Sequence, residues 1–313
     1  MNNPEFSVIV ESYNLSEGGA KEIFIQVLGK IISIVADCGN GELIVIDVDN
    51  SINLPQLLQK HSMIVKCVSA HGMGYDSAKH RAVQEASGEF VIFLDGDCVP
   101  QPGWLDTMLQ ALRKKDSVAC GGYTYYAGGY LSRLMSIMDF GFFYPVESRS
   151  LQCYASNNVG FQRSAYLETP VATENLRCGC FRHAQTLLDR GTPVQFVPEA
   201  KVLHEEQSVI TERTRQGYDA VVSAWNNPNL AEALWLRCGG ILSVFPLYAM
   251  NIFLDWKRAT LGRGSVGFSK PEYILSLFLF PMFRLLDSVG MLYAIVRGAI
   301  PGGWEGMRLP WAK

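Results

Sequence analysis

The chain has 313 residues, 48% hydrophobic and 18% charged, long enough for one large domain or for one domain with an appendage. Its net charge of −3 leaves no global basic footprint for nucleic acid. The charge is uneven: from Trp235 onward nine Lys or Arg face four Asp or Glu, a net of +5 that leaves −8 for the rest, the pattern of a soluble body with a membrane-facing end.

The first half alternates strand and helix signals. Phe6-Ser7-Val8-Ile9-Val10 predicts a strand that ends in the polar cluster Glu11-Ser12-Tyr13-Asn14, with a helix over 20–35 behind it. A second strand over 42–47 ends near Asp47 and Asp49, and a third covers 63–68. Residues 75–86 predict a helix with Ala78, Ala82 and Ala86 on one face, stopped by Gly88. The apolar run 90–94 is a fourth strand and leads straight into Asp95-Gly96-Asp97. Such alternation predicts an α/β fold, a mostly parallel sheet with helices on both faces. Ligands of these sheets bind at the carboxyl ends of strands, and three of the four strands here end in acids.

Residues 120–204 are mixed. They hold the Gly- and Tyr-rich stretch GGYTYYAGGY, then SNNVGFQRSAYL, a helix over 181–189 closed by Gly191, and a strand over 194–197 leading through Pro198 to Val202-Leu203-His204. Beyond Asn227-Pro228-Asn229 the composition turns apolar, so the expected division is 1–226 and a mainly helical region over 227–313. Apolar runs cover 238–254, 273–283 and 288–296, each shorter than the ~18 residues of a clear membrane span. Arg237, Lys257, Arg258, Arg263 and Arg284 flank them, and Trp235, Trp256 and Tyr273 sit near their ends, where interfacial aromatics belong. A helical layer on the body, in-plane or re-entrant membrane helices, and true spans all fit this pattern.

Eight cysteines are scattered without a C-x-x-C pair, and Cys178-Gly179-Cys180 is too tight for zinc, so reduced thiols in a cytosolic protein are expected. The opening MNNPEFSVIVESYN has no basic stretch followed by an apolar one, so no signal peptide is expected.

Asp95 and Asp97 can be an acid/base pair, metal ligands or a strand-ending turn. An acid-x-acid pair on extended backbone converges on one side. Two hard oxygen ligands suit Mg²⁺ or Mn²⁺, which complete their shell with water and phosphate oxygens, so a metal-bound diphosphate is the natural partner. There is no G-x-x-x-x-G-K-S/T loop for a P-loop nucleotidase and no G-x-G-x-x-G after the first strand for a dinucleotide fold.

From about Phe6 to Gly217 the chain resembles the family 2 glycosyltransferases of the GT-A fold. FSVIVESYN looks like the opening strand and nucleotide loop, ELIVIDVDNS like the second strand, and GYDSAKHRAVQEASGEFVIFLDGDCVPQPGWL like the helix, strand and D-x-D block. SNNVGFQRSAYL is similar to the acceptor-side segment and VPEAKVLHE to the strand that carries a His. The resemblance implies that Glu11, Tyr13 and Asp47 or Asp49 contact the nucleoside and that Asp95 meets the ribose or metal. It further implies that Asp97 and His204 hold the ion, that Asn157 and Asn158 lie on the acceptor side, and that Arg213 and Arg215 close over the diphosphate. A solvated helix face accounts equally for the two arginines. The implied reaction is sugar transfer from a nucleotide donor, usually UDP-linked, to a hydroxyl, mostly with inversion.

The chain also departs from the family. Counting back from Gly191, the general-base Glu-Asp pair should fall near Gly179-Cys180, where neither residue is acidic. Glu174 is the nearest upstream carboxylate and the candidate base. Lys79-His80 replaces the Arg-Asn usual in the helix before the D-x-D strand. The leading expectation is a metal-assisted glycosyltransferase on the cytoplasmic face of a membrane, acting on a glycan or lipid-linked acceptor, with membrane lipids as partners. A catalytically silent sugar-nucleotide-binding or scaffold subunit at a membrane is the alternative. A soluble nucleotidyltransferase would need a fuller Gly- and Lys-bearing loop than Glu17-Gly18-Gly19-Ala20-Lys21.

Overall fold

In the computed structural model, residues 3–12, 21–48, 65–126, 128–172, 179–205, 208–226, 236 and 239–298 are described. They form two compact units. The first takes Met1–Tyr125, Glu147–Thr173 and Gly179–Glu205; the second takes Tyr126–Val146, Glu174–Cys178 and Glu206–Lys313.

The first unit is built on strand β1 (Phe6–Glu11), whose six residues are all buried. Strands β2 (Gly41–Asp47) and β4 (Phe90–Asp95) flank it in parallel, and β3 (Val65–Ser69) extends the sheet beside β2. Continuous apolar runs such as Val8-Ile9-Val10 suit a strand covered on both faces. Val8, Val10, Leu43, Val45, Ile92 and Leu94 face helices α1 (Lys21–Cys38) and α3 (Trp104–Leu112). The buried residues of α1, at 24, 27, 28, 31, 32 and 35, follow the helical period and give one apolar stripe for that face. On the other face, Phe93 packs edge-on against Tyr166 of α5 (Arg163–Glu168), and Tyr166 in turn meets His80 of α2 (Tyr75–Glu85).

The remaining strands run antiparallel. Beside β4 lies β8 (Asn158–Gln162), then β6 (Ala119–Tyr126), β9 (Val194–His204) and β5 (Cys98–Pro100), giving the order β3-β2-β1-β4-β8-β6-β9-β5, with β7 (Ser150–Leu151) on β9. The sheet is therefore mixed. Its parallel half is the strand–helix alternation expected from the sequence, and its antiparallel half comes from the mixed region, where strands need no crossover helix between them. The expected strand at 194–197 continues unbroken through Pro198 to His204, and the expected helix at 181–189 is α6 (Gly179–Asp189).

The second unit is helical: α4 (Tyr130–Phe140), α7 (Val209–Asn226), α8 (Val244–Val266) and α9 (Lys270–Arg297). Helix α7, on the body side of the boundary expected from the sequence, thus groups with the tail. It lies so close to α9 that a Cβ on Gly217 would sit 1.8 Å from the Asp287 carbonyl and one on Gly290 2.0 Å from that of Thr214. The two apolar runs at 273–283 and 288–296 join in one helix, capped by Ser269 and Glu272. Arg284 and Asp287 break the composition without breaking the helix. Both are buried, and Arg284 forks onto Asp255 of α8 at 2.6 and 2.8 Å while also binding Asp287.

Candidate active site

The parallel register places three acids side by side. Glu11, the last residue of β1, pairs with Ile46 on one side and Asp95 on the other, and Asp47 ends β2 one residue further on. Glu11 and Asp47 are buried. The turn after β1 is tied to β2, since the Ser12 N–H donates to the Ile46 carbonyl at 3.1 Å and the Val48 N–H to the Ser12 hydroxyl at 3.2 Å. These bonds hold the acidic edge at the carboxyl end of the sheet, where an α/β fold binds its ligand.

Asp95 is clamped. The Tyr75 hydroxyl donates to it at 2.8 Å, and the Lys79 ammonium donates to Oδ1 at 2.7 Å. Lys79 also donates to the Ser156 carbonyl at 2.8 Å and to the Tyr75 hydroxyl, and it is only 2% exposed. A buried ammonium needs such a carboxylate, and the pair fixes the Asp95 side chain before any ligand arrives. Tyr75 and Lys79 are four residues apart on one helix face, so the spacing carried the signal that both reach one target. Between the two aspartates only glycine fits: a Cβ on Gly96 would lie 2.4 Å from the Phe24 ring and 2.7 Å from the Glu11 carbonyl.

Asp97 turns the other way, toward β9. The pairing of β5 with β9 sets Cys98 opposite His204, and the Glu205 N–H donates to the Asp97 carbonyl at 3.0 Å. His204 Nε2 consequently lies 3.8 Å from Asp97 Oδ1. A carbonyl only accepts, so the 2.8 Å contact between His204 Nδ1 and the Glu205 carbonyl puts the neutral ring's proton on Nδ1 and leaves the Nε2 lone pair facing Asp97. Burial pushes the Asp97 carboxyl up, His204 opposes this when its ring is protonated, and Asp95 adds to it. A divalent ion would reverse that burden. Asp97 and His204 fit one: 3.8 Å is less than two metal–ligand bonds of about 2.1 Å. Asp97, Cys98 and His204 offer ligand atoms within 4.8 Å of one another. The Cys98 thiol is pushed well up, by burial first and then by Asp97, and a neutral thiol is a poor ligand for hard Mg²⁺ or Mn²⁺.

The other expected site residues divide three ways. Tyr13, Asp49 and Glu174 lie outside the described residues. Asn157 and Asn158 bind inside the first unit. The Thr124 hydroxyl donates to Asn157 at 2.9 Å, and Asn158 accepts from the Trp104 indole at 2.8 Å and donates to the Ala200 carbonyl at 2.9 Å. Asn158 is fully buried, and its amide ties β8 to β9 and to α3 from within. Arg213 and Arg215 stand on α7 in the second unit. There Arg213 is 1% exposed, bound to Asp139 and 3.8 Å from Asp287, while Arg215 binds Glu212 at 2.8 Å.

A half-parallel sheet with acids abreast at its carboxyl edge, and an Asp-Gly-Asp turn handing its second carboxylate to a histidine, is a GT-A-type architecture. The chain belongs to Glycosyl transferase family 2, whose sequence profile matches residues 7–168, just over half of its length. A mannosyltransferase from Pyrobaculum calidifontis, PcManGT, solved in complex with GDP-Man and Mn²⁺, aligns at a TM-score of 0.57 and 14% identity over 95% of this chain and 87% of that one. GalNAc-T7, solved with UDP, GalNAc and Mn²⁺, aligns at 0.53 and 13% identity over 66% of this chain and 44% of its own. Identities this low establish the fold alone. No curated protein sequence matches the chain.

Proposed function

We propose that this chain transfers a sugar from a nucleotide donor, UDP-linked, to a hydroxyl of a glycan or lipid-linked acceptor at the cytoplasmic face of a membrane, with inversion. The observation that carries the reading is the Asp97–His204 pair beside a pre-clamped Asp95 at the carboxyl edge of the sheet. Glu11 and Asp47 take the nucleoside, Asp95 the ribose, and Asp97 and His204 the ion. A bound Mg²⁺ or Mn²⁺ supplies charge neutralisation of the departing diphosphate. The chain itself fixes Asp95 through Tyr75 and Lys79 and sets the His204 tautomer through the Glu205 carbonyl. A ligand set built before binding is the condition under which electrostatic stabilisation is strong. The metal-holding solved glycosyltransferases of like fold support the ion.

Support for the membrane comes from α9. It spans 28 residues and holds an 18-residue stretch at a mean hydropathy of 1.6. Phe278, Met282, Leu285, Val289, Leu292 and Val296 recur every three or four residues and are all exposed. Its buried face carries Ser276, Arg284 and Asp287 among Phe280, Gly290, Met291 and Ala294. An apolar stripe turned outward with charges paired inside is the pattern of a helix in lipid.

The test is release of nucleoside diphosphate from UDP- and GDP-sugars with Mn²⁺. The wild type should release it, and Asp97→Ala should lose at least about 100-fold, the scale of a metal's electrostatic contribution. Equal rates would refute the donor-site assignment. Tight UDP binding without release would mark a silent sugar-nucleotide-binding subunit instead.

A further inference from the structure

Inverting transfer to a hydroxyl requires a base, and the acids so far described are engaged. Asp95 is clamped by Lys79 and Tyr75, and Asp97 sits with His204. Asp76 is different. It lies in the first turn of α2, which begins just past the carboxyl end of β3 and so stands on the ligand-binding edge of the sheet. Its neighbour Tyr75, and Lys79 one turn on, are the two residues that hold Asp95. The Asp76 carboxylate is half-buried, and among the described residues no hydrogen bond or ion pair holds it. A Cβ on Gly179 would lie 2.8 Å from its Oδ2. The carboxylate therefore rests against the first residue of α6, at the place where the sequence offers Gly179 and Cys180 in lieu of an acid.

We propose that Asp76 is the catalytic base, resting on the transferase reading above, and that it takes the proton of the attacking hydroxyl. The hydroxyl oxygen forms a bond to the anomeric carbon while the bond from that carbon to the diphosphate oxygen breaks, its electron pair leaving with the diphosphate. The hydroxyl proton passes to an Asp76 oxygen and then to solvent. The assignment also explains the glycine: any side chain at 179 would push against the base.

The surroundings suit the task. The groups that face Asp76 are Lys79 on its own helix, Asp95 of β4, Cys180 of α6, and the hydroxyls of Tyr154 and of Tyr166 on α5. Burial pushes its carboxyl up to about 6, with Lys79 opposing and Asp95 reinforcing. A base with that affinity is ionised at neutral pH yet still takes a proton well. The sign for stability follows. The fold favours the protonated carboxyl, so its stabilising contribution is present at low pH and is lost as pH rises through about 6.

The test uses the full chain with Mn²⁺ and the UDP- and GDP-sugar panel, water serving as acceptor. Asp76→Asn should lower kcat by about 100-fold or more and abolish the rise of rate through about pH 6, while leaving UDP affinity within about twofold. Its melting temperature at pH 8 should rise, because an uncharged amide replaces a half-buried carboxylate; a merely structural aspartate would give a fall. Asp76→Glu should recover part of the rate, and Gly179→Ala, which crowds Oδ2, should lower kcat with UDP affinity kept. Wild-type kcat in Asp76→Asn would overturn the proposal, as would a loss of kcat accompanied by lower melting temperature and weaker UDP binding. A wild type that binds UDP and Mn²⁺ but turns over no sugar nucleotide would overturn it too. A wild type that binds no nucleotide would sink the transferase reading first.

Discussion

Lys79 shows how a residue can be visible in the sequence and unread. It stood out only as a departure from Arg-Asn, whereas the fold makes it the cation that holds Asp95. Asp95 and Asp97 were legible because an acid pair directly after an apolar strand has few meanings. His204 needed a resemblance, since what brings it to Asp97 is the register of β5 on β9, a pairing of positions more than 100 residues apart. Cys98 follows Asp97 directly in the sequence, but its place beside His204 depends on the same register. Lys79→Met should test the clamp. Removing one partner of a buried pair costs about 3 kcal/mol or more, so urea unfolding of the first unit should shift by that much, and UDP affinity should fall with it. Unchanged stability and affinity would show that Asp95 needs no such anchor.

Among the elements, the best-read ones were local. β1, β2, β4 and α2 were placed within a residue or two, because each is a short apolar run or an alanine-lined face closed by Gly, Asp or Asn. The antiparallel strands β6 and β8 were not resolved from a stretch rich in Gly and Tyr. Their glycines make room for neighbouring chains: a Cβ on Gly122 would meet the Ala200 carbonyl at 2.4 Å. Helix α9 looks like two runs in the sequence because Arg284 and Asp287 count as polar in a composition window, although Arg284 pairs with both Asp287 and Asp255 inside the unit. Its outer stripe gives the element's own prediction. Phe278→Glu, Leu285→Glu and Val289→Glu together should move the protein from the membrane fraction to the supernatant with its helicity intact by circular dichroism. The charges would sit on an already exposed face, so the fold loses little while lipid transfer becomes unfavourable by about 2 kcal/mol or more per residue at depth. Retention in the membrane fraction would show that this face does not hold the chain there.

At the scale of the whole chain, the sequence divides by charge and hydropathy, and the structure divides by packing. The two divisions agree on an α/β body and a helical, apolar remainder, and they differ over α7, whose Gly217 lets it lie against α9. No window of composition could show that, since α7 is itself amphipathic and polar enough to belong to either part. The first unit holds the acid-bearing strand ends, the Asp97–His204 pair and Asp76, so the chemistry assigned to the chain rests on that unit. The metal-linked diphosphate site proposed for it is measured directly by calorimetric titration of UDP with and without Mn²⁺. The wild type should bind UDP at least about tenfold more tightly with Mn²⁺, a coupling of about 1.4 kcal/mol, and Asp97→Ala should lose that gain while melting as a folded protein. UDP binding that is equal with and without Mn²⁺, or equal in wild type and Asp97→Ala, would contradict it.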